Sequence, residues 1–124
     1  MADQSGYVKQ TLDLAEGLKD AQYVHTDTWM DMEFFQNGKI KPEYAAEFEK
    51  RKAMFEPYQL NAALINKYCS QAKPMHCMPC HVDYEITSDA INHPNTLIFD
   101  QAENRMHIQK AIMIWLLRIN GLLN

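Results

Sequence analysis

Apolar residues recur at intervals of three and four through much of the chain, and this helical period is the feature that most constrains its fold. From Ser5 to about Gln36 the recurrence predicts one long amphipathic helix. Asn37-Gly38 would end that helix, because both residues tolerate the positive φ of a helix C-terminus. The buried stripe of this predicted helix comprises Tyr7, Leu14, Leu18, Ala21, His25, Trp29, Met32 and Phe35.

A second helical stretch begins at Pro42, a residue that suits the first turn of a helix. Pro57 should kink or split this helix near Glu56, because proline removes a backbone donor. Apolar residues continue on one side as far as Cys69, and Gln71 to Pro74 closes the stretch. We therefore expect one kinked helix or two shorter ones in this part of the chain.

A last helix is predicted from Asn95 or Thr96, either of which can cap it, to about Asn120, with Gly121 near its end. Its predicted buried stripe comprises Ile108, Ala111, Ile112, Trp115, Ile119 and Leu122. Three long helices, or four if Pro57 makes a true break, predict an all-α fold in the form of a small antiparallel helical bundle.

The length of 124 residues predicts a single domain over residues 1–124. With 16 acidic against 12 scattered basic residues, the chain has no basic patch for a phosphate backbone, so no nucleic-acid partner is expected. The longest apolar run, Ala111 to Leu117, is much shorter than the roughly 20 residues that cross a bilayer, so no membrane-spanning segment is expected. The start of the chain has neither the basic nor the apolar region of an export signal.

Cysteine and histidine are concentrated between Pro74 and Pro94, where the helical period is lost. Within this predicted loop, Cys77-Met78-Pro79-Cys80-His81 places two thiols one helical turn apart and an imidazole beside the second thiol. Haem c requires this spacing, because each sulfur bonds one vinyl group of the porphyrin and the adjacent histidine binds the iron. The motif predicts a cofactor-bearing loop before the last helix.

At these five residues the chain resembles the c-type cytochromes, although the motif lies ahead of the last helix, which matches neither the class I nor the cytochrome c′ pattern. The resemblance implies a monohaem protein in which Cys77 and Cys80 hold haem c and His81 is the proximal iron ligand. It implies electron transfer with a redox partner protein, or gas or redox sensing of a small gaseous ligand if the sixth iron position is open, rather than enzyme activity. Such a protein is expected in the periplasm or another exported compartment.

His25 is the candidate for a distal iron ligand, since it lies on the stripe of the predicted first helix and would face the interior of the bundle. The alternative for His25 is a core histidine with satisfied hydrogen bonds. Seven aromatic residues could surround a porphyrin or form an ordinary hydrophobic core: Trp29, Phe34, Phe35, Tyr44, Phe48, Phe55 and Tyr58.

Zinc is the alternative cofactor, because three cysteines and one histidine complete a closed tetrahedral site. That set combines Cys69, Cys77 and Cys80 with His76, His81 or His93. This interpretation predicts a zinc-stapled helical adaptor or inhibitor that binds a protein partner in the cytoplasm, where thiols stay reduced. A copper site that adds Met75 and Met78 is a minor variant. The residues alone leave the choice between haem and zinc open.

Overall fold

The computed structural model describes residues 8–123 of the chain, and it contains both strands and helices. The regular elements in chain order are α1 (Leu14–Leu18), β1 (Tyr23–Thr26), β2 (Phe35–Gln36), β3 (Lys39–Ile40), α2 (Ala45–Phe55), α3 (Ala62–Tyr68), β4 (Lys73–His76), α4 (Ser88–Ile91) and α5 (Ile98–Ile119). Short 3-10 turns cover Met32–Phe34, Pro42–Tyr44 and Glu56–Tyr58. The predicted all-α bundle is therefore wrong.

Strands β1 and β4 form a parallel pair, in which His25 lies opposite Met75 and Thr26 lies opposite His76. A parallel pair needs a long crossover, and α2 and α3 lie within the segment that connects the two strands. Because side chains alternate between the faces of a strand, residues 25 and 27 point to one face and residues 24 and 26 to the other. The carboxyl ends of both strands lie at the same edge of the pair.

The core packs against the face of β1 that carries Val24. Its buried members come from several elements and comprise Leu60, Ile65, Cys69, Ala72, Ile86, Ala90 and Ile98. Two backbone hydrogen bonds connect Leu60 of the core to the segment that follows β4. Leu60 N–H donates to Glu85 O (3.0 Å), and Thr87 N–H donates to Leu60 O (3.0 Å). The segment after β4 is thus anchored on the core at Ile86, a fully buried residue.

The predicted first helix is present only as α1, and the chain then turns into β1. Two of the four residues of β1, Val24 and Thr26, are β-branched, and pairing with β4 favours the extended conformation over the helical pattern. Asn37 and Gly38 have φ values of 52° and 75°, which form the tight turn between β2 and β3 rather than a helix end. The part of the predicted helix before Val8 lies outside the described residues.

The break predicted at Pro57 is confirmed, because α2 ends at Phe55 and α3 begins at Ala62. Asn61 caps α3, since its side-chain oxygen accepts from Leu64 N–H at 2.8 Å. The predicted close of this stretch is only partly right, because its last residues open β4.

The last predicted helix is present as α5, but its predicted buried stripe is wrong. All six residues of that stripe are exposed, and Trp115 shows 60% of its surface. Among residues 8–123, no helix is long and apolar enough to cross a membrane. The single domain over residues 1–124 stays a prediction.

Candidate active site

The carboxyl ends of β1 and β4 bring Asp27 and Cys77 together. Each is the first residue after its strand, and the register that pairs Thr26 with His76 sets them opposite one another. The Cys77 thiol donates to Asp27 Oδ1 at 3.0 Å, although the two residues are 50 positions apart. Ligands of parallel α/β sheets bind at this edge. The Asp27–Cys77 pair is therefore the candidate centre of the site.

The surroundings of the pair keep Asp27 ionised and Cys77 protonated. The hydrogen bond to Asp27, followed by burial and the Asp27 charge, raises the pKa of the Cys77 thiol, while the positive charge of Arg105 acts in the opposite direction. The hydrogen bond from Cys77 and the Thr28 N–H, which donates at 2.8 Å, lower the pKa of the Asp27 carboxyl. The site presents a carboxylate and a neutral thiol near neutral pH.

Beneath the pair, a buried imidazole and a buried carboxylate hold the Cys77 loop, defined as residues 76–81. His76 and Glu85 are both fully buried. His76 Nδ1 accepts from Met78 N–H at 2.8 Å, so a neutral imidazole carries its proton on Nε2, which lies 3.3 Å from Glu85 Oε1. The same Glu85 oxygen accepts from His81 N–H at 2.6 Å. Glu85 thus contacts both ends of the loop.

His81 connects the Cys77 loop to the β2–β3 hairpin. Its ring stacks on Phe35 with centroids 3.9 Å apart and planes 15° apart. His81 Nδ1 lies 3.2 Å from Thr28 Oγ1, whose own proton is donated to Met30 O at 2.6 Å. Since a hydroxyl has one proton, the Thr28 oxygen accepts from an Nδ1 proton of His81. His81 therefore makes a hydrogen bond through Nδ1 and a ring-stacking contact, both with residues of this chain.

Helix α5 approaches the site from the side of β4. It begins where Leu97 N–H donates to Pro74 O at 2.9 Å. One turn later the Gln101 amide contacts His25 Nε2 at 3.2 Å, and Arg105 follows after four further residues. Residues four apart share one side of a helix, so Gln101 and Arg105 lie on the side that faces β1 and β4.

The family model described as the aspartate/ornithine carbamoyltransferase Asp/Orn binding domain matches residues 1–116 of the 124. The chain belongs to this carbamoyltransferase family. The ornithine carbamoyltransferase of Roseobacter denitrificans is 40% identical over 107 residues, which cover 86% of this chain and 32% of that relative. The ornithine carbamoyltransferase of Thermococcus kodakarensis is 40% identical over 116 residues, with 90% and 32% covered.

Solved carbamoyltransferases share the mixed fold of this chain. The ornithine carbamoyltransferase of Pyrococcus furiosus superposes with a TM-score of 0.65 at 38% identity, over 82% of this chain and 29% of that one. The enzyme of Thermus thermophilus superposes with a TM-score of 0.66 at 32% identity, over 86% and 31%. The chain spans about a third of the length of the curated relatives it matches.

Membership of the carbamoyltransferase family corrects the cytochrome interpretation. A c-type cytochrome that carries out electron transfer or sensing, and its haem c, are not supported, and the expectation of a protein without enzyme activity is wrong because the family is one of transferases. The physical reason lies in the loop. The segment 77–81 is not helical, Cys77 bonds Asp27, and Cys80 packs against the core. The two thiols therefore do not share the helical turn that the haem prediction required.

The residues proposed as iron or zinc ligands make other contacts. His25 is exposed on β1 and contacts Gln101, instead of facing a bundle interior. Cys69 is buried in the core, and His93 Nδ1 accepts from Asn95 N–H. Within the part of the chain that the structure describes, no group of three or more His, Cys, Asp or Glu side chains could hold a metal ion. The zinc-stapled adaptor is corrected by the same family assignment.

Sequence reasoning missed Asp27, Glu85 and Arg105. For Asp27 a signal was available, because a polar residue directly after a short β-branched stretch marks the carboxyl end of a strand. Glu85 and Arg105 gave no such signal, since each looks like an ordinary charged residue until the fold places one beneath and one beside Cys77. Cys77 itself was singled out, but for haem chemistry.

Proposed function

We propose that this chain is the acceptor-binding part of a carbamoyltransferase and that it binds ornithine at the Asp27–Cys77 pair. The observation that carries the proposal is the hydrogen bond between these two side chains at the carboxyl edge of the parallel strands. The family description names aspartate or ornithine as the ligand, and the relatives described above are ornithine carbamoyltransferases. Ornithine fits better, because the Asp27 carboxylate attracts a side-chain ammonium and repels a second carboxylate.

Carbamoyl transfer requires a neutral amine that attacks the carbonyl carbon of the carbamoyl donor. The ornithine ammonium first releases one proton to solvent. The new C–N bond then forms, the bond to the donor's leaving group breaks, and the anionic leaving group accepts the second proton that the nitrogen loses. Asp27, whose pKa is held low, is suited to bind and orient the ammonium rather than to remove its proton as a strong base. Its role in the proposed reaction is therefore to position the acceptor nitrogen.

Cys77 is suited to act as a neutral hydrogen-bond donor. A raised pKa keeps the sulfur protonated, which disfavours a covalent intermediate on the thiolate. Arg105 supplies the positive charge near the thiol, where it can stabilise an anionic donor group or the oxyanion that develops on the carbonyl. The three side chains together provide an acceptor-binding carboxylate, a neutral donor and a fixed cation.

We propose that a second segment completes the binding site for the carbamoyl donor. This segment corresponds to the part of the relatives that this chain does not match. The outer part of α5, defined as residues 106–119, is exposed throughout. Its exposed apolar side chains include Ile108, Ile112, Met113, Trp115, Leu116 and Ile119. A helix with apolar residues on all sides is normally buried, and a patch of this kind marks an interaction surface. We propose that a segment equivalent to this unmatched part of the relatives, on this or another chain, packs there beside the site.

We place the reaction in the cytoplasm. The three cysteines are free thiols, which suits a reducing compartment. The absence of a nucleic-acid partner stays a prediction and is consistent with a net charge of −4.

Ligand binding to the chain itself tests the acceptor assignment. In an NMR titration with ornithine, we expect chemical-shift changes centred on the backbone amides of Asp27, Thr28 and Cys77. Asp27→Asn should remove these changes, whereas Asp100→Asn, an exposed matched control on α5, should keep them. Changes that persist in Asp27→Asn, or that centre elsewhere, would refute the assignment.

Reconstitution tests the activity. The chain is joined to the unmatched part of the Roseobacter denitrificans relative, and carbamoyl transfer to ornithine is measured. Asp27→Asn should lower kcat/KM by about 100-fold or more, since misplaced reacting groups cost that much. Aspartate should be a poor acceptor. Equal use of ornithine and aspartate, or full activity of Asp27→Asn, would contradict the proposed function.

A further inference from the structure

The contact between Gln101 and His25 is a polar link between α5 and the β1–β4 pair. It joins Gln101 Nε2 to His25 Nε2 at 3.2 Å, across 76 positions of the sequence. His25 is two residues before Asp27, so both side chains point to the same face of β1. Gln101 is one turn before Arg105 on the same side of α5. The link between Gln101 and His25 therefore lies two residues before Asp27 along the chain and one helical turn before Arg105 on α5.

Few other contacts fix the position of α5 near Gln101. Ile98, in its first turn, is fully buried, and Leu97 N–H bonds β4 at Pro74. From residue 103 onward every described residue of the helix is exposed. Among residues 8–123, the Gln101–His25 contact is the only side-chain hydrogen bond between α5 and the two strands. Without it, only packing would set the orientation of the second turn of α5, which leads to Arg105.

We propose that the link between Gln101 and His25 fixes the rotation of α5 over the strands and thereby holds Arg105 beside the Asp27–Cys77 pair. His25 and Gln101 are positioning residues, since neither is among the three side chains assigned to contact substrate. A neutral imidazole accepts from the Gln101 amide at Nε2, so the contact is a hydrogen bond with a defined direction. The inference rests on the proposed function only in the choice of Cys77 as the reporter.

Alkylation of Cys77 in the intact chain measures the position of Arg105 without any enzyme activity. The rate with iodoacetamide depends on the thiolate fraction, which the Arg105 charge increases. Tandem mass spectrometry separates Cys77 from Cys80. At pH 8, His25→Phe should slow alkylation by about two- to fivefold, the factor that corresponds to a partly exposed charge interaction. Gln101→Leu should have the same effect from the other side of the link.

A double-mutant cycle distinguishes positioning from general loosening. Arg105→Gln should slow alkylation as much as His25→Phe, and the double variant should be no slower than either. His107→Phe is the matched control, because His107 contacts Glu103 at 3.2 Å on the exposed side of α5, and it should leave the rate unchanged. An unchanged alkylation rate in both His25→Phe and Gln101→Leu would overturn the inference. So would a double variant whose rate falls by the product of the two single effects. If one link variant fails to fold, the other decides.

This test is separable from the proposed function. A chain that fails to bind ornithine but shows the non-additive cycle keeps the positioning link. A chain that binds ornithine but gives equal alkylation rates for the wild type and both link variants loses it.

Discussion

The side chains at the carboxyl edge of the β1–β4 pair contact other residues of this chain, whereas large apolar side chains in the outer part of α5 are exposed. At the edge, Asp27, Cys77, His76 and Glu85 each contact another residue of this protein. In the outer part of α5, large apolar side chains such as Trp115 are exposed, at 60% of their surface in that case. The carboxyl edge is therefore held by contacts within residues 8–123, whereas the outer part of α5 presents an apolar surface that no other described residue covers.

The sharpest test of this comparison is a matched pair of isoleucine truncations in α5. Ile98→Ala, at a fully buried position, should lower the free energy of unfolding by about 2–5 kcal/mol through lost burial and a cavity. Ile112→Ala, at a position 48% exposed, should change it by less than about 0.5 kcal/mol. Urea unfolding measures both. Equal losses would mean that the outer part of α5 is packed in this chain, and the comparison would fail.

Lysine substitutions in the outer part of α5 should affect assembly without affecting this chain. Ile112→Lys combined with Trp115→Lys should weaken association with the unmatched part of a relative by about 30-fold or more, which is the effect expected of a buried hot spot. The stability of the chain alone should stay the same, because both side chains are exposed in it. Binding is measured by calorimetry between the two purified parts. Unchanged affinity would exclude this surface as the interface.

Asp27→Asn should change the chemistry of Cys77 in the chain alone. The Asp27 hydrogen bond and charge raise the pKa of the Cys77 thiol, so removing the charge should lower that pKa and speed alkylation at pH 8. The pH profile of alkylation is measured for both forms. The Ile112→Lys and Trp115→Lys variant should keep the wild-type profile, since the outer part of α5 has no part in the pair. A slower reaction in Asp27→Asn would reverse the assigned sign.

The smallest expected effect is on stability in acid. The pKa of Asp27 is lowered in the folded state, so its contribution is fully present above its ordinary value of 3.8 and is lost as the pH falls through the lower folded value. Because Asp27 is exposed, this contribution should be below about 1 kcal/mol. The acid limb of the unfolding curve should therefore be flatter in Asp27→Asn than in the wild type. Identical limbs would mean that the Cys77 bond does not favour the folded state.

Local signals predicted the elements whose causes are local. The break at Pro57 followed from the missing backbone donor of proline, and the last helix followed from a long helical period that ends near Gly121. The strands were missed because β1 has only four residues and lies within a longer helix-like pattern. Extended pairing between β1 and β4 is stabilised by partners far away in the sequence, which no short window contains.

The sequence indicated the loop that contains Cys77, but it indicated the wrong chemistry for that loop. The loop after Pro74 was singled out, and Cys77 lies there, but the Cys-x-x-Cys-His spacing was interpreted as if residues 77–81 formed a helical turn. In the fold, Cys77 pairs with Asp27 at the carboxyl ends of β4 and β1, and His81 stacks on Phe35 of the hairpin. Cys77 therefore contacts a carboxylate and His81 contacts an aromatic ring, whereas the haem prediction required both side chains to bind a haem group.

The amino-acid sequence by itself determined the helices α2, α3 and α5 and the break between the first two, because proline, capping residues and helical period act over one or two turns. Only the tertiary structure decided that β1 and β4 pair in register, that Asp27 meets Cys77, and that the charge of Arg105 acts on the Cys77 thiol. It also decided that the apolar residues of the outer part of α5 stay exposed within the described chain. The physical reason is that pairing and burial depend on which distant segments come together, and hydrophobic pattern alone does not specify the partner.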